Sequence, residues 1–435
     1  MKRVKKALNT VSAFQFFQLA RYSTLILIGI VFAKTALTQS EIGEYETFVF
    51  VAGALSFFWL NGLLKALLPI GNNSERSKTN IFSAFLVIQA FSLLAALLLY
   101  FLQPLFSQLL LNRHPVPEIN LLLAFIILSA PASLVEHYYL LRNKNKAMVI
   151  YAIISFGLQL ILVLVPVVLG FPIKWALIGL VLSAFFRYAW LWILLIVNNE
   201  LFASGAFIRE HLKLGSPLVI ATLLGGSAQF VDGFIVTSRF SEEAFAIFRY
   251  GARELPLAML MANALSSAML PAFANDSNRH ENLQQLKASV TRLMHFLFPL
   301  TAVLLLVSKP LFPLVFNPGF AESATVFNVY LLLIISRLMM PQTILNGLQI
   351  TKPIMLASVM ELILNVSLSL VFVQFWGLPG IAFATFIAFL FEKIYLAYSV
   401  KKRFNISIAA YLPVGIYTLY SLGIVVIFIF AELIY

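Results

Sequence analysis

The sequence predicts an all-α polytopic membrane protein: two six-helix bundles related by a parallel repeat around a central cavity, plus one extra C-terminal transmembrane helix. Three observations predict it. Of 435 residues, 61% are hydrophobic and 11% charged, with a mean hydropathy of +0.93, so too little polar surface exists to cover a water-soluble domain. Apolar runs of about 20 residues recur along the chain, each long enough to cross a hydrocarbon core of roughly 30 Å as a helix. Lys and Arg are concentrated in alternate connecting segments, and one stretch of sequence recurs six helices later.

The spans fall near 12–36, 44–70, 81–103, 119–141, 147–169, 174–197, 212–238, 244–271, 290–308, 323–347, 353–375 and 379–400, with a thirteenth near 411–434. The opening MKRVKKALNT is basic, but the apolar run after it is of full spanning length and lacks a small-residue cleavage site. It reads as a retained first helix and not a signal peptide. With the N-terminus cytoplasmic, seventeen Lys and Arg fall in cytoplasmic segments, among them Arg142, Lys144, Lys146, Lys401, Lys402 and Arg403. Only Lys34, Arg113, Lys174, Arg239 and Lys309 fall in the opposite loops. That bias predicts an N-in protein, and it supports the helix count, because one missed helix would scramble the alternation; the membrane expected is the inner (plasma) membrane.

Residues 40–69, SEIGEYETFVFVAGALSFFWLNGLLKALLP, and 241–271, SEEAFAIFRYGARELPLAMLMANALSSAMLP, share a Ser-Glu start and a closing Leu-Pro, with Asn61 and Asn263 equally far from Pro69 and Pro271. The first opens the second span and the second opens the eighth. This spacing predicts an N-terminal six-helix lobe over 1–200, a C-terminal lobe over 201–403 and an additional helix over 404–435.

Composition excludes several classes of function. There is no cysteine, and His114, His137, His211, His280 and His295 are scattered, so neither a metal centre nor a cofactor is expected. The net charge of +12 marks topology, not a nucleic-acid partner. No GxxxxGK[ST] loop occurs, so the chain carries no ATPase motif of its own.

The first copy of the repeat resembles the second helix of the polysaccharide and oligosaccharide flippases, where an acidic-Gly-aromatic hairpin precedes a Gly-containing apolar run. The run LKLGSPLVIATLLGGSAQFVDGFIVTSRFSEEAFAIFRYGARELPLAML is similar to the start of that family's second half, with Pro217 early in the seventh span, Asp232 near its end and Tyr250 early in the eighth. The resemblance covers residues 1 to about 400. It implies membership of the multidrug, oligosaccharidyl-lipid and polysaccharide exporter superfamily, a six-plus-six plan and transport driven by a proton or cation gradient. The single thirteenth helix departs from the usual twelve or fourteen.

Inside the spans lie Arg21, Lys65, Arg187, Arg249, Arg253, Arg292, Arg337 and Lys393, against Glu136, Asp232, Glu254, Glu361 and Glu392. A charge at the bilayer centre costs at least about 2.5 kcal/mol, so such residues face a cavity or a partner. The positive surplus favours an anionic ligand, and guanidinium binds a diphosphate by bidentate charge-assisted bonds. Depth selects Arg21, Arg187, Arg253 and Arg337 as cavity arginines that bind substrate, because charges near helix ends reach the headgroups unaided. Arg249 is expected to be an interface anchor. Asp232 is placed beside Arg253, as a structural ion pair or as a gate opened by a competing diphosphate. Glu361 and Glu392 are candidates for coupling, or for pairing with Arg337 and Lys393. Glu136 and His137 are read as an interfacial pair satisfied by Arg142 or Lys144. Hinges are assigned to Pro217 and Pro256.

The leading function is a non-enzymatic flippase that moves an undecaprenyl-diphosphate-linked oligosaccharide, a polysaccharide or O-antigen repeat unit, across the inner membrane by alternating access. Its partners are that lipid-linked sugar, membrane lipid, and a polysaccharide polymerase and glycosyltransferases acting on the same substrate. One alternative is a multidrug and toxin cation antiporter of the same superfamily, although the first span carries Arg21 and no acid. The other is a membrane glycosyltransferase or polymerase, although the longest external loop, from Gln103 to Ile119, is only about 15 residues.

Overall fold

The computed structural model describes residues 2–72, 80–112, 114–274 and 278–434, and among these the chain is helical throughout, with no strand. Ten of the described helices are long and apolar enough to cross a membrane, which makes this a multi-pass membrane protein. In hydrocarbon no water can satisfy a free backbone group, so the chain closes its hydrogen bonds within each helix.

The first compact unit comprises Met1–Gly226 together with Thr237–Phe245. It contains α1 (Lys2–Ala33), α2 (Gln39–Asn72), α3 (Ile81–Leu110), α4 (Ile119–Ala132), α5 (Leu134–Leu141), α6 (Asn145–Val168), α7 (Ile173–Val197) and α8 (Gly205–Gly226). α1 packs on α6, α6 and α4 on α7, α3 on α4, and α2 along α8. The last contact is the most extensive, so α8, which the repeat assigns to the second lobe, lies in this first unit. A small residue allows it: a Cβ added to Gly62 of α2 would stand 2.6 Å from the Val219 backbone of α8. In the same seam the buried His211 ring nitrogen Nε2 donates to the Leu63 carbonyl at 2.9 Å.

The second unit comprises Ser227–Val236 and Ala246–Tyr435. Here the predicted spans are cut into pieces. The seventh consists of α8 and α9 (Ala228–Arg239), with a break at Ser227, and the eighth of α10 (Glu242–Gly251) and α11 (Pro256–Ala274). The tenth consists of α13 (Ala321–Leu331), α14 (Leu333–Arg337) and α15 (Pro341–Gly347), preceded by a 3-10 turn at Pro318–Phe320. α12 (Arg279–Val315) is longer than the predicted ninth span at both ends. The eleventh and twelfth spans form one element, α16 (Lys352–Phe404), which folds back at Gly377 with φ 58° and ψ −135°. A side chain would strain that backbone. Asn365 before the fold donates to Thr385 after it at 2.9 Å, so the two limbs form a helical hairpin. α17 (Ile408–Tyr411) and α18 (Val414–Ile434) complete the chain.

The prolines resolve unequally. Pro256 and Pro341 each begin a new helix after a break, whereas Pro217 lies within an uninterrupted α8. The two copies of the repeat therefore differ: α2 is continuous and the second copy is not.

Gly62→Leu is expected to lower the thermal midpoint in detergent, at an overpacking cost of about 1–3 kcal/mol. Gly157→Ala, where an added Cβ meets nothing within 4 Å, is expected to leave the midpoint unchanged or raise it. Differential scanning fluorimetry of both variants checks the pair.

Candidate functional site

The breaks in the second unit occur where the charges are. In the eighth span, Ala252–Leu255 is non-helical, and it carries Arg253 and Glu254. Pro256 has no N–H to continue the ladder. In the tenth span the helix stops after Arg337, Met340 adopts a left-handed φ of 56°, and Pro341 starts the next segment. The two broken helices meet through their charges. Arg337 donates from Nε to Glu254 Oε1 at 2.7 Å and from Nη2 to Oε2 at 2.5 Å, a bidentate pair. The guanidinium also lies 5.8 Å from the centre of the Phe389 ring on α16.

Asp232 on α9 has partners other than the expected one. Its Oδ2 accepts from the Tyr330 hydroxyl and from Thr385 Oγ1, both at 2.6 Å, and no salt bridge joins it to Arg253 among the described residues. Thr385 in turn accepts from Asn365, whose Oδ1 takes a bond from Ser369 at 3.4 Å. Asp232 is 3% exposed, and its Oδ1 has no hydrogen-bond partner among the described residues. Arg253 lies over the Tyr250 ring at 5.2 Å, with its Nε on the Arg249 carbonyl at 3.3 Å. The expectation of an Asp232–Arg253 pair assumed a continuous helix in which Arg249 and Arg253 share a face. The break removes that geometry, and neutral hydroxyls meet the carboxylate instead.

Arg337 is likewise not the partner of Glu361. Glu361 is buried with Oε1 unpartnered among the described residues, while Glu392 pairs with its neighbour Lys393 at 2.7 Å. Lys393 also donates to Gln342 at 3.1 Å. The second unit thus holds Glu254, Glu392 and Glu432 in direct ion pairs, the last with Lys309, while the buried Asp232 and Glu361 lie outside any described ion pair.

The first unit has the opposite balance. Glu136 on α5 is buried, and its cationic neighbours are Arg21 of α1 and Arg187 of α7. Arg21 is exposed although it lies well inside the span Ala13–Lys34. Arg187 lies over the Phe156 ring at 6.0 Å, and its buried Nε has no acceptor among the described residues. Arg142 and Lys144 do not satisfy Glu136: Arg142 pairs with Glu200, and Lys144 approaches the Tyr138 hydroxyl and Asn198, each at 3.4 Å. Nδ1 of His137 is 2.9 Å from its own helix's Ser133 carbonyl. Among the described residues no three His, Asp or Glu side chains gather as a metal site.

Sequence reasoning placed the charged residues and missed the neutral ones. Tyr330, Asn365 and Thr385 carry no signal of their own in an apolar sequence, and only the fold brings them to Asp232. Glu254 was visible as an intramembrane acid, and its position two residues before Pro256 was the available clue.

Helices broken at intramembrane charges recur in membrane transporters, and the solved structures that share this fold are of that kind. The structure superposes on the lipid II flippase MurJ in an inward closed conformation, with a TM-score of 0.70 and 21% identity over 95% of this chain and 91% of that one. It also matches an inward-facing multidrug resistance MATE family transporter of the MOP superfamily, at 0.63 and 13% identity over 89% of this chain and 94% of the other. A Vibrio cholerae MATE transporter matches at 0.57 and 14%, over 92% and 99% of the two chains. Among curated proteins no sequence matches significantly. A family model described as polysaccharide biosynthesis protein matches residues 35–325, and the chain belongs to that family.

Removing either partner of the Glu254–Arg337 pair leaves a half-buried charge unmatched. Glu254→Gln and Arg337→Gln are each expected to destabilise the protein. The double variant should lose less than the sum of the two, with a coupling of at least about 1 kcal/mol in a double-mutant cycle of thermal unfolding.

Proposed function

We propose that this protein is a flippase that carries an undecaprenyl-diphosphate-linked oligosaccharide, a repeat unit for polysaccharide assembly, across the inner membrane by alternating access of two six-helix lobes. The N-terminus is cytoplasmic, and an ion gradient drives the cycle. The observation that carries this reading is the charge balance of the first unit. Arg21 and Arg187 both neighbour Glu136, neither is in a salt bridge among the described residues, and the Arg187 Nε has no acceptor among them. An exposed arginine at that depth requires water or an anion to face it. A diphosphate supplies the missing acceptors in the geometry guanidinium prefers.

In this reading the second unit does the coupling. Asp232, held by neutral donors and with one oxygen unpartnered among the described residues, has the chemistry to take a proton or a small monovalent cation, and Glu361 is the second such group. Arg337 acts through its pair with Glu254, and Arg253 remains a candidate for the cargo. Membership of a polysaccharide biosynthesis family supports a sugar cargo over a drug.

The test is reconstitution in proteoliposomes with a fluorescent lipid-diphosphate oligosaccharide, following leaflet exchange with and without a proton or sodium gradient. Arg21→Gln and Arg187→Gln are each expected to slow exchange by roughly ten- to hundredfold, the loss of a charge-assisted bond worth about 1.5–3 kcal/mol. Asp232→Asn is expected to remove the response to the gradient. Absence of exchange with any such lipid, together with export of a cationic dye, would replace this reading with the drug antiporter.

A further inference from the structure

α18 is the helix that a twelve-span plan does not need, and it is attached in an unusual way. Its outer face is bare: Leu419, Leu422, Val426 and Leu433 are 72%, 61%, 64% and 80% exposed. Apolar contact between helices gains little in lipid, where tails are as apolar as leucine, so specific polar contacts carry much of the attachment. Those contacts converge on the site in the second unit.

At one end, the Glu432 carboxylate accepts from Asn328 Nδ2 at 2.7 Å and from Thr325 Oγ1 at 3.3 Å, and pairs with Lys309 at 2.7 Å. Asn328 is fully buried and is held from its other side by Ser308 of α12 at 2.6 Å. Two residues further along α13 is Tyr330, the donor to Asp232. Toward the other end, the Tyr417 hydroxyl donates to the Ile335 carbonyl at 3.0 Å. In an unbroken helix that carbonyl would receive the Met339 N–H. Met339 donates to Ser336 instead, at 3.3 Å, because the helix stops there. Tyr417 thus satisfies a carbonyl that the break sets free, two residues before Arg337. Between the two anchors, Phe428 packs edge-on against Phe383 of α16 at 5.7 Å, two residues before Thr385.

We infer that the thirteenth helix is a positioning element for transport, in which Tyr417 and Glu432 hold the broken tenth span so that Arg337 meets Glu254 and Tyr330 meets Asp232. This rests on the reading above that the second unit's polar network serves the transport cycle. α18 itself contributes no group to that network. It sets the backbone from which three members of the network project.

Two readouts test it, one independent of any cargo. In a Tyr417→Phe background, the Glu254–Arg337 coupling measured by a double-mutant cycle should fall to less than half of its original value. Tyr420→Phe is the control, because that hydroxyl meets His295 of α12 at 2.8 Å and touches no break. It removes one α18 hydrogen bond as Tyr417→Phe does, so a helix with only a general packing role predicts equal effects from both. The second readout is exchange of a fluorescent lipid-diphosphate oligosaccharide in proteoliposomes: about a tenfold slower rate for Tyr417→Phe and Glu432→Gln at unchanged half-saturating lipid, and less than twofold for Tyr420→Phe. An unchanged Glu254–Arg337 coupling in the Tyr417→Phe background, or equal losses from Tyr417→Phe and Tyr420→Phe, overturns the inference. If the unaltered protein moves no such lipid, the flippase reading fails, while the coupling cycle still decides the role of α18.

Discussion

The constraint on which the rest of this structure depends is that an interrupted helix in hydrocarbon leaves backbone groups that only protein can satisfy. A free carbonyl or amide there costs several kcal/mol, so an interruption persists only where side chains converge on it. Among the described residues of the second unit, spans are interrupted at Ser227, at Ala252–Leu255 and at Leu338–Met340. The last two are met by polar side chains that are otherwise rare in a chain with 11% charged residues, and Asp232 lies five residues beyond the first. The Glu254–Arg337 bridge, the hydroxyls on Asp232 and the Tyr417 bond to Ile335 can be understood together as the supports of those interruptions. They also furnish the unit's titratable groups, so structural necessity and chemical capacity occupy the same residues.

Much of the architecture was legible in the sequence, because spanning a membrane demands long apolar runs and alternating basic ends, both one-dimensional signals. The breaks were not. Proline is too weak a guide alone: Pro104 lies within α3 and Pro299, Pro310 and Pro313 within α12, all without interruption. What distinguishes Pro256 and Pro341 is a charge a few residues upstream in mid-span, Glu254 in one case and Arg337 in the other. The partner assignments failed for the same reason. Depth counting along an ideal helix placed Asp232 near Arg253, whereas residues in a non-helical stretch no longer obey helical facing. Neutral donors such as Thr385 and Asn365 lie beyond sequence reasoning, since they become a set only through the fold of α16 at Gly377.

The two units differ in the sign of what they leave unmatched. The first has more guanidinium than carboxylate around Glu136, and the second has carboxylates outside its described ion pairs. Charge of this kind inside a membrane is costly for a static scaffold, which would gain more from apolar packing.

α12 has a further consequence. At 37 residues and 1.5 Å per residue it is about 55 Å long, nearly twice the thickness of a hydrocarbon core. Its first turns therefore stand in water, where Arg279 lies over Phe404 at 5.6 Å and Lys287 donates to the Ala409 carbonyl at 2.8 Å. The same rod holds Ser308, behind Asn328, within the lipid. One helix therefore carries both the contacts to the ends of α16 and α17 and the hydroxyl that holds Asn328 beneath the broken tenth span.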